Sequence, residues 1–172
     1  MSAFSCLYFL IHCLYLAYSS SDIHSVMFKD KKVALHYRKY DFSKVTEWFL
    51  SIVRTYDIRP LWVGYDPWNS QYWVDEMEES GFTLEKIRQG VFTLSEPMKQ
   101  LEADLKNKVV IYDNNPVLKW CLANTQAKVD INGNIQPCKL NSKFKRIDGA
   151  VALIIAYAVL NKYVKEYENM QS

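Results

Sequence analysis

The eleven residues from Ala150 to Leu160 are apolar on every side of a helical projection. A helix without a polar face has to be buried and covered by other elements. The same helix is expected to start near Asp148 and to run to about Tyr167, with a charged, solvated second half. A second stretch complements it. In Leu61-Trp62-Val63-Gly64-Tyr65-Asp66-Pro67-Trp68-Asn69 an apolar run ends in one carboxylate, and a Pro-Trp-Asn turn follows. A buried strand delivers an acid to a sheet edge in this way, and Asp148 is the candidate partner on another element ending at that edge.

Between these stretches the pattern alternates. Ser43 is placed to cap a helix whose Val45, Trp48, Phe49, Ile52, Val53 and Tyr56 fall on one face, with Pro60 as its stop. A helix is expected from Asn69 or Ser70 to Glu79, with Tyr72, Trp73 and Met77 toward the core and Gly81 at its C-terminal turn. Thr83 to Arg88 read as a strand. Ser95 reads as the cap of a helix with Pro97 in its first turn, and Val109 to Tyr112 as a short strand. Asn115-Pro116 opens a helix carrying Val117, Leu118, Cys121 and Leu122 on one side. Lys128 to Pro137 read as a hairpin turning at Asn132-Gly133, the dipeptide suited to a type I′ turn. Lys32 to Tyr37 suit a further short strand. Alternating helices and strands with one inserted hairpin predict an α/β fold, a mixed sheet covered by helices, in a single domain.

The 172 residues suffice for a sizeable core, and 49% apolar with 23% charged residues is a globular balance. A net charge of +2 does not by itself point to nucleic acid. The four cysteines (Cys6, Cys13, Cys121 and Cys138) form no CxxC pair, which argues against zinc and against a disulfide framework and suits a reducing, cytoplasmic setting. No phosphate-binding loop or dinucleotide fingerprint is present, so no nucleotide cofactor is expected. Residues 1–30 stand apart. Ala3 to Tyr18 are almost wholly apolar, lack the basic start of a signal peptide, and are slightly short for a membrane span of about 20 residues.

Chemistry concentrates at the two acids. Carboxylates meeting at a sheet edge are hard oxygen ligands suited to Mg²⁺ or Mn²⁺. Two such ions about 4 Å apart stabilise the attacking and leaving oxygens of phosphodiester hydrolysis. Each acid also has a plain structural reading: Asp66 as a helix cap ahead of Pro67, Asp148 as a carboxylate favoured by a helix dipole. Lys139, Lys143, Lys145 and Arg146 form a basic loop before Asp148, suited either to phosphate contact or to simple solvation. His12, His24 and His36 have no carboxylate or nucleophile at a telling spacing. Trp48, Trp62 and Trp73 read as packing, Cys121 as a buried thiol, and Cys138 lacks an activating base.

Several stretches together carry a resemblance. They are Val63-Gly64-Tyr65-Asp66-Pro67-Trp68-Asn69; Arg88-Gln89-Gly90 with Leu94-Ser95-Glu96-Pro97-Met98-Lys99; Asn115-Pro116-Val117-Leu118-Lys119-Trp120 leading to Asn124; and Asn132-Gly133-Asn134-Ile135 before Arg146-Ile147-Asp148-Gly149. In this order, from about Lys32 to Tyr163, the chain resembles the C-terminal nuclease domain of the terminase large subunit of tailed bacteriophages and prophages. The resemblance implies an RNase H-like fold and a metal-dependent endonuclease that cuts concatemeric viral DNA during packaging, with two Mg²⁺ or Mn²⁺ ions in an intact member. It sets Asp66 and Asp148 in the places of the second and third metal-binding acids. It also implies double-stranded DNA, a terminase small subunit and a portal as partners, in the cytoplasm of a bacterial host.

The sequence departs from that pattern at its start. The family's first strand, with its first metal-binding aspartate, has no match before Lys32, and the packaging ATPase domain has none either. Residues 31–172 therefore read as a partial nuclease domain behind an unrelated apolar segment. Two alternatives to an active nuclease follow: a catalytically inactive prophage fragment with weak or no DNA binding, and a small protein anchored to a membrane by residues 3–18.

Overall fold

The computed structural model describes residues 43–67, 70–110, 115–139 and 145–169. The expected strand at Lys32 to Tyr37, the apolar segment 1–30, all three histidines, Trp68 and Lys143 lie outside them. Helix α1 spans Ser43–Tyr56. Thr46, Phe49 and Ile52 are buried, whereas Val45 and Tyr56 are exposed, so the buried stripe is rotated from the one the apolar spacing predicts. Ser43 is the first helical residue. The helix stops before Pro60, because Asp57 takes a left-handed conformation (φ 53°) while its N–H still reaches the Val53 carbonyl at 2.9 Å.

Strand β1 (Val63–Tyr65) pairs in parallel with β2 (Leu84–Lys86), Val63 opposite Leu84 and Tyr65 opposite Lys86. The ladder continues past both ends through Val63 N–H to Thr83 O at 2.8 Å and Ile87 N–H to Tyr65 O at 2.9 Å. The crossover between them is helix α2, Gln71–Glu79. Trp73, Val74 and Met77 share its buried stripe. Tyr72, expected inside, is 89% exposed, since one residue before Trp73 is a turn of about 100° away from that stripe. Gly81 (φ 81°) ends α2 as expected: its N–H bonds Glu78 O and that of Phe82 bonds Met77 O, the paired bonds of a Schellman turn.

Helix α3 covers Val91–Lys106. Ser95 does not cap it. The helix begins a full turn earlier at Gly90, whose carbonyl accepts from Thr93 and Leu94. Ser95 instead lies buried in the helix, its Oγ accepting the Ile135 N–H at 3.0 Å. Pro97 consequently sits inside α3, where it has no N–H for the preceding turn. Val109 and Val110 are not in a strand, and the rest of that expected element lies outside the described residues.

Helix α4 (Pro116–Asn124) starts as its sequence predicts. Asn115 Oδ1 accepts from both Val117 N–H and Leu118 N–H at 2.9 Å, and Pro116 occupies the first turn, where no donor is needed. The hairpin follows, with β3 (Thr125–Val129) antiparallel to β4 (Ile135–Lys139). Its turn differs from the type I′ expectation. Gly133 alone has positive φ (78°), and its N–H bonds Asp130 O at 3.1 Å, giving a three-residue loop closed by Asp130 N–H to Asn134 O. Asp130 supplies the extra order: Oδ1 accepts from the backbone of Asn132 and Asn134, and Oδ2 from the Asn134 amide.

Helix α5 runs Asp148–Asn169, with non-helical geometry at Tyr163 (φ −112°, ψ 19°). Its residues from Leu153 to Val159 are all buried, as an all-apolar helix requires. The β1–β2 pair lies between two apolar layers. Val63 belongs with Phe49, Trp73, Val74, Met77 and Phe82 of the α1–α2 layer. On the other face, Leu94, Leu101 and Leu118 pack with α5. Each fully buried Leu or Ile in these layers contributes about 1.5–3 kcal/mol, so the layering holds the strand ends in place.

Candidate functional site

Asp66 follows the last residue of β1 and is half-buried, the position its apolar lead-in predicts. Asp148 is the first residue of α5 and is exposed. Two contacts set the direction of β1 along α5. Trp62 stacks on Tyr163 and donates from Nε1 to Glu166 Oε2 at 2.9 Å. Two residues on, Gly64 lies so close to α5 that a Cβ there would come within 2.6 Å of Val159 Cγ2 and 2.8 Å of Ile155 Cγ2. The strand therefore advances as the helix runs backward. Its Asp66 end and the Asp148 end of the helix lie in the same direction from the Gly64 contact.

The segment leading into α5 is held by α4. The buried Asn124 donates from Nδ2 to Arg146 O at 3.3 Å. Gly149 lets α4 approach: a Cβ there would stand 3.4 Å from Cys121 Sγ and 3.5 Å from Leu118 Cδ1. Burial pushes the Cys121 thiol up from its ordinary range, the Gly149 N–H opposes this, and the negative Asp148 adds to it. Cys121 is thus the buried thiol its periodicity predicts, wedged under the first turn of α5. A bond such as that from Asn124 to Arg146 O, across 22 residues, leaves no local signal in a sequence, and neither Asn124 nor Cys121 was legible as a support for Asp148.

Of the basic cluster, Lys139 is exposed at the end of β4, and Lys145 and Arg146 are half-buried before α5. The structure brings Lys139 and Arg146 to one place through α4, since Lys139 pairs with Thr125 and Asn124 binds Arg146. Lys143 lies outside the described residues. At the edge of the parallel strands, Gln89 donates from Nε2 to Asp66 Oδ2 at 2.5 Å. Arg88-Gln89-Gly90 is among the stretches that carry the family resemblance, but nothing in it hints at this contact. Among the described residues no group of three His, Cys, Asp or Glu side chains is placed to hold a metal ion.

The model of the terminase large subunit endonuclease domain family matches residues 38–163 of this sequence, well over half of the chain. The chain belongs to the terminase large subunit endonuclease-domain family. Its terminase-type fold is shared with the HK97 bacteriophage large terminase, whose crystal structure superposes with a TM-score of 0.60 at 25% identity, over 69% of this chain and 25% of that one. The likeness identifies the arrangement of helices and strands as the RNase H-like α/β fold of a terminase nuclease domain. Protein YmfN of Escherichia coli strain K12 is 35% identical over 104 residues, covering 59% of this chain and 22% of its own length. The chain therefore spans about a quarter of the length of the terminase and of the curated relative it matches. No helix among the described residues is long and apolar enough to cross a membrane.

Proposed function

We propose that this chain acts as a DNA-cutting module of the packaging-terminase type, a metal-dependent endonuclease whose substrate is concatemeric double-stranded phage DNA. The observation that carries the reading is the common direction of the Asp66 end of β1 and the Asp148 end of α5, inside a span that matches the endonuclease family. Terminase small subunit and portal would be its packaging partners, in the bacterial host cytoplasm.

The donor chemistry fits a hard divalent cation. Asp66 and Asp148 offer carboxylate oxygens, the ligands that Mg²⁺ and Mn²⁺ take. In the active reading these two acids hold the metal, which supplies charge stabilisation for phosphodiester hydrolysis. The residues around them do the rest. Asn124, Cys121 and Gly149 fix the backbone on both sides of Asp148. Lys139, Lys145 and Arg146 present positive charge beside that segment, suited to sequence-independent positioning contacts with the phosphate backbone.

A second reading rests on the departure from the family's motifs at its first metal-binding aspartate, which has no match before Lys32. It makes the chain a catalytically inactive relative that binds DNA weakly or not at all. Nicking of supercoiled plasmid with Mg²⁺ or Mn²⁺ decides between them, with Asp66→Ala and Asp148→Ala as controls. The endonuclease reading expects cutting that both substitutions abolish. Cutting that survives in both variants removes these acids from the mechanism, and a wild-type chain that neither cuts nor binds Mn²⁺ by calorimetry supports the inactive reading.

A further inference from the structure

Gln89 stands at the one place where the two parallel strands deliver their chain ends side by side. Tyr65 O accepts the Ile87 N–H, which fixes the exit of β2 beside the exit of β1. Three residues later Gly90 O accepts from Thr93 and Leu94 and starts α3. Only Arg88 and Gln89 lie between the anchored Ile87 N–H and the anchored Gly90 carbonyl, so the backbone beneath Gln89 has little freedom. Its side chain is exposed, yet its amide is directed onto Asp66 Oδ2 at 2.5 Å across 23 residues of sequence. An exposed amide gains little stability from such a bond, because water competes for both partners. The bond does restrict rotation of the carboxylate about Cβ–Cγ, and a carboxylate that must meet an ion in one orientation gains from that restriction.

We propose that Gln89 is the positioning residue for Asp66, holding its carboxylate in the rotation that binds a divalent cation. This rests on the reading of Asp66 as a metal ligand. An outer contact of this kind is worth about 10–100-fold in metal affinity. Gln89→Met keeps the length of the side chain and removes the donor, and Gln89→His retains an N–H donor.

The test measures Mn²⁺ binding to the full chain by calorimetry, beside the thermal midpoint and the affinity for duplex DNA without divalent ions. The expected result is that Gln89→Met weakens Mn²⁺ binding roughly 10–100-fold, that Gln89→His recovers part of the loss, and that the melting temperature and metal-free DNA affinity stay where they are. Unchanged Mn²⁺ binding in Gln89→Met, beside Asp66→Ala in which binding is lost, overturns the role of Gln89 and leaves the metal-ligand reading standing. A fall in DNA affinity alone makes Gln89 a substrate contact and likewise overturns it. Mn²⁺ binding unaffected by Asp66→Ala overturns both.

Discussion

Trp62 lies flat against Tyr163, with ring centroids 3.9 Å apart and planes 7° from parallel. Tyr163 is also where α5 leaves helical geometry, so the stack sits on the bend of the longest helix among the described residues. The indole N–H reaches past that bend to Glu166, and Tyr163 Oη donates to Glu85 of β2. One aromatic pair thus ties both parallel strands to the helix that Asp148 begins.

Trp62→Ala should remove the stack and the indole bond together. The expected loss is about 2–3 kcal/mol, below the range for a fully buried Trp because this ring is only half-buried. Trp62→Phe keeps an aromatic face and should lose less. Urea denaturation of both variants measures the difference, and equal losses would assign the energy to the Glu166 bond.

Gly64→Ala should destabilise by overpacking. The added methyl meets Val159 and Ile155 side chains far inside normal contact distance, which costs about 1–3 kcal/mol. Val159→Ala placed in the same chain should recover part of it. A double-mutant cycle in urea reads the coupling directly; additive losses would mean that β1 shifts away from α5 instead.

Glu85 gives the fold an acid-sensitive latch. Burial raises its carboxyl, but the Lys162 ammonium at 2.6 Å and the Tyr163 hydroxyl outweigh burial and leave it below the usual value. A carboxylate lowered on folding stabilises above its unfolded value of about 4.3 and loses that contribution as pH falls through the folded one. Lys162 is raised by Glu85, so its share persists until strongly alkaline pH. The urea midpoint should therefore fall between pH 5 and 3 (roughly spanning that unfolded value), and Glu85→Gln should flatten that part of the curve.

Asn115→Ala should lower stability by about 1 kcal/mol by orphaning the first donors of α4, whereas Asn115→Asp keeps the accepting oxygen and should lose less. Thermal melting of the two variants separates cap loss from a general effect of substitution.

Strong local chemistry is what made parts of this molecule legible. The Asn115-Pro116 start, the Gly81 stop and the buried run of α5 each follow from one residue type with one physical preference. Asp66 after an apolar strand and Asp148 before an apolar helix were readable for the same reason. Ser95 misled because hydroxyl caps and buried hydroxyls look alike in sequence, and only the approach of Ile135 from the hairpin distinguishes them. Tyr72 misled because adjacent aromatic residues compete for one stripe, and the layer above α2 chose Trp73. The Gln89–Asp66 bond had no local signature at all: it depends on parallel pairing, which brings distant strand ends together.

The contact between Trp62 and Glu166 joins residues 104 positions apart. At synthesis rates of about 5–20 residues per second, that separation keeps β1 waiting roughly 5–20 s for α5. Until α5 emerges, the Gly64 face of the strand pair is bare, and non-local closure of this kind is slow in its own right. The strand pair that carries Asp66 is consequently covered on its Gly64 face only once α5 has arrived, so a ribosome that stalls before α5 leaves that face open.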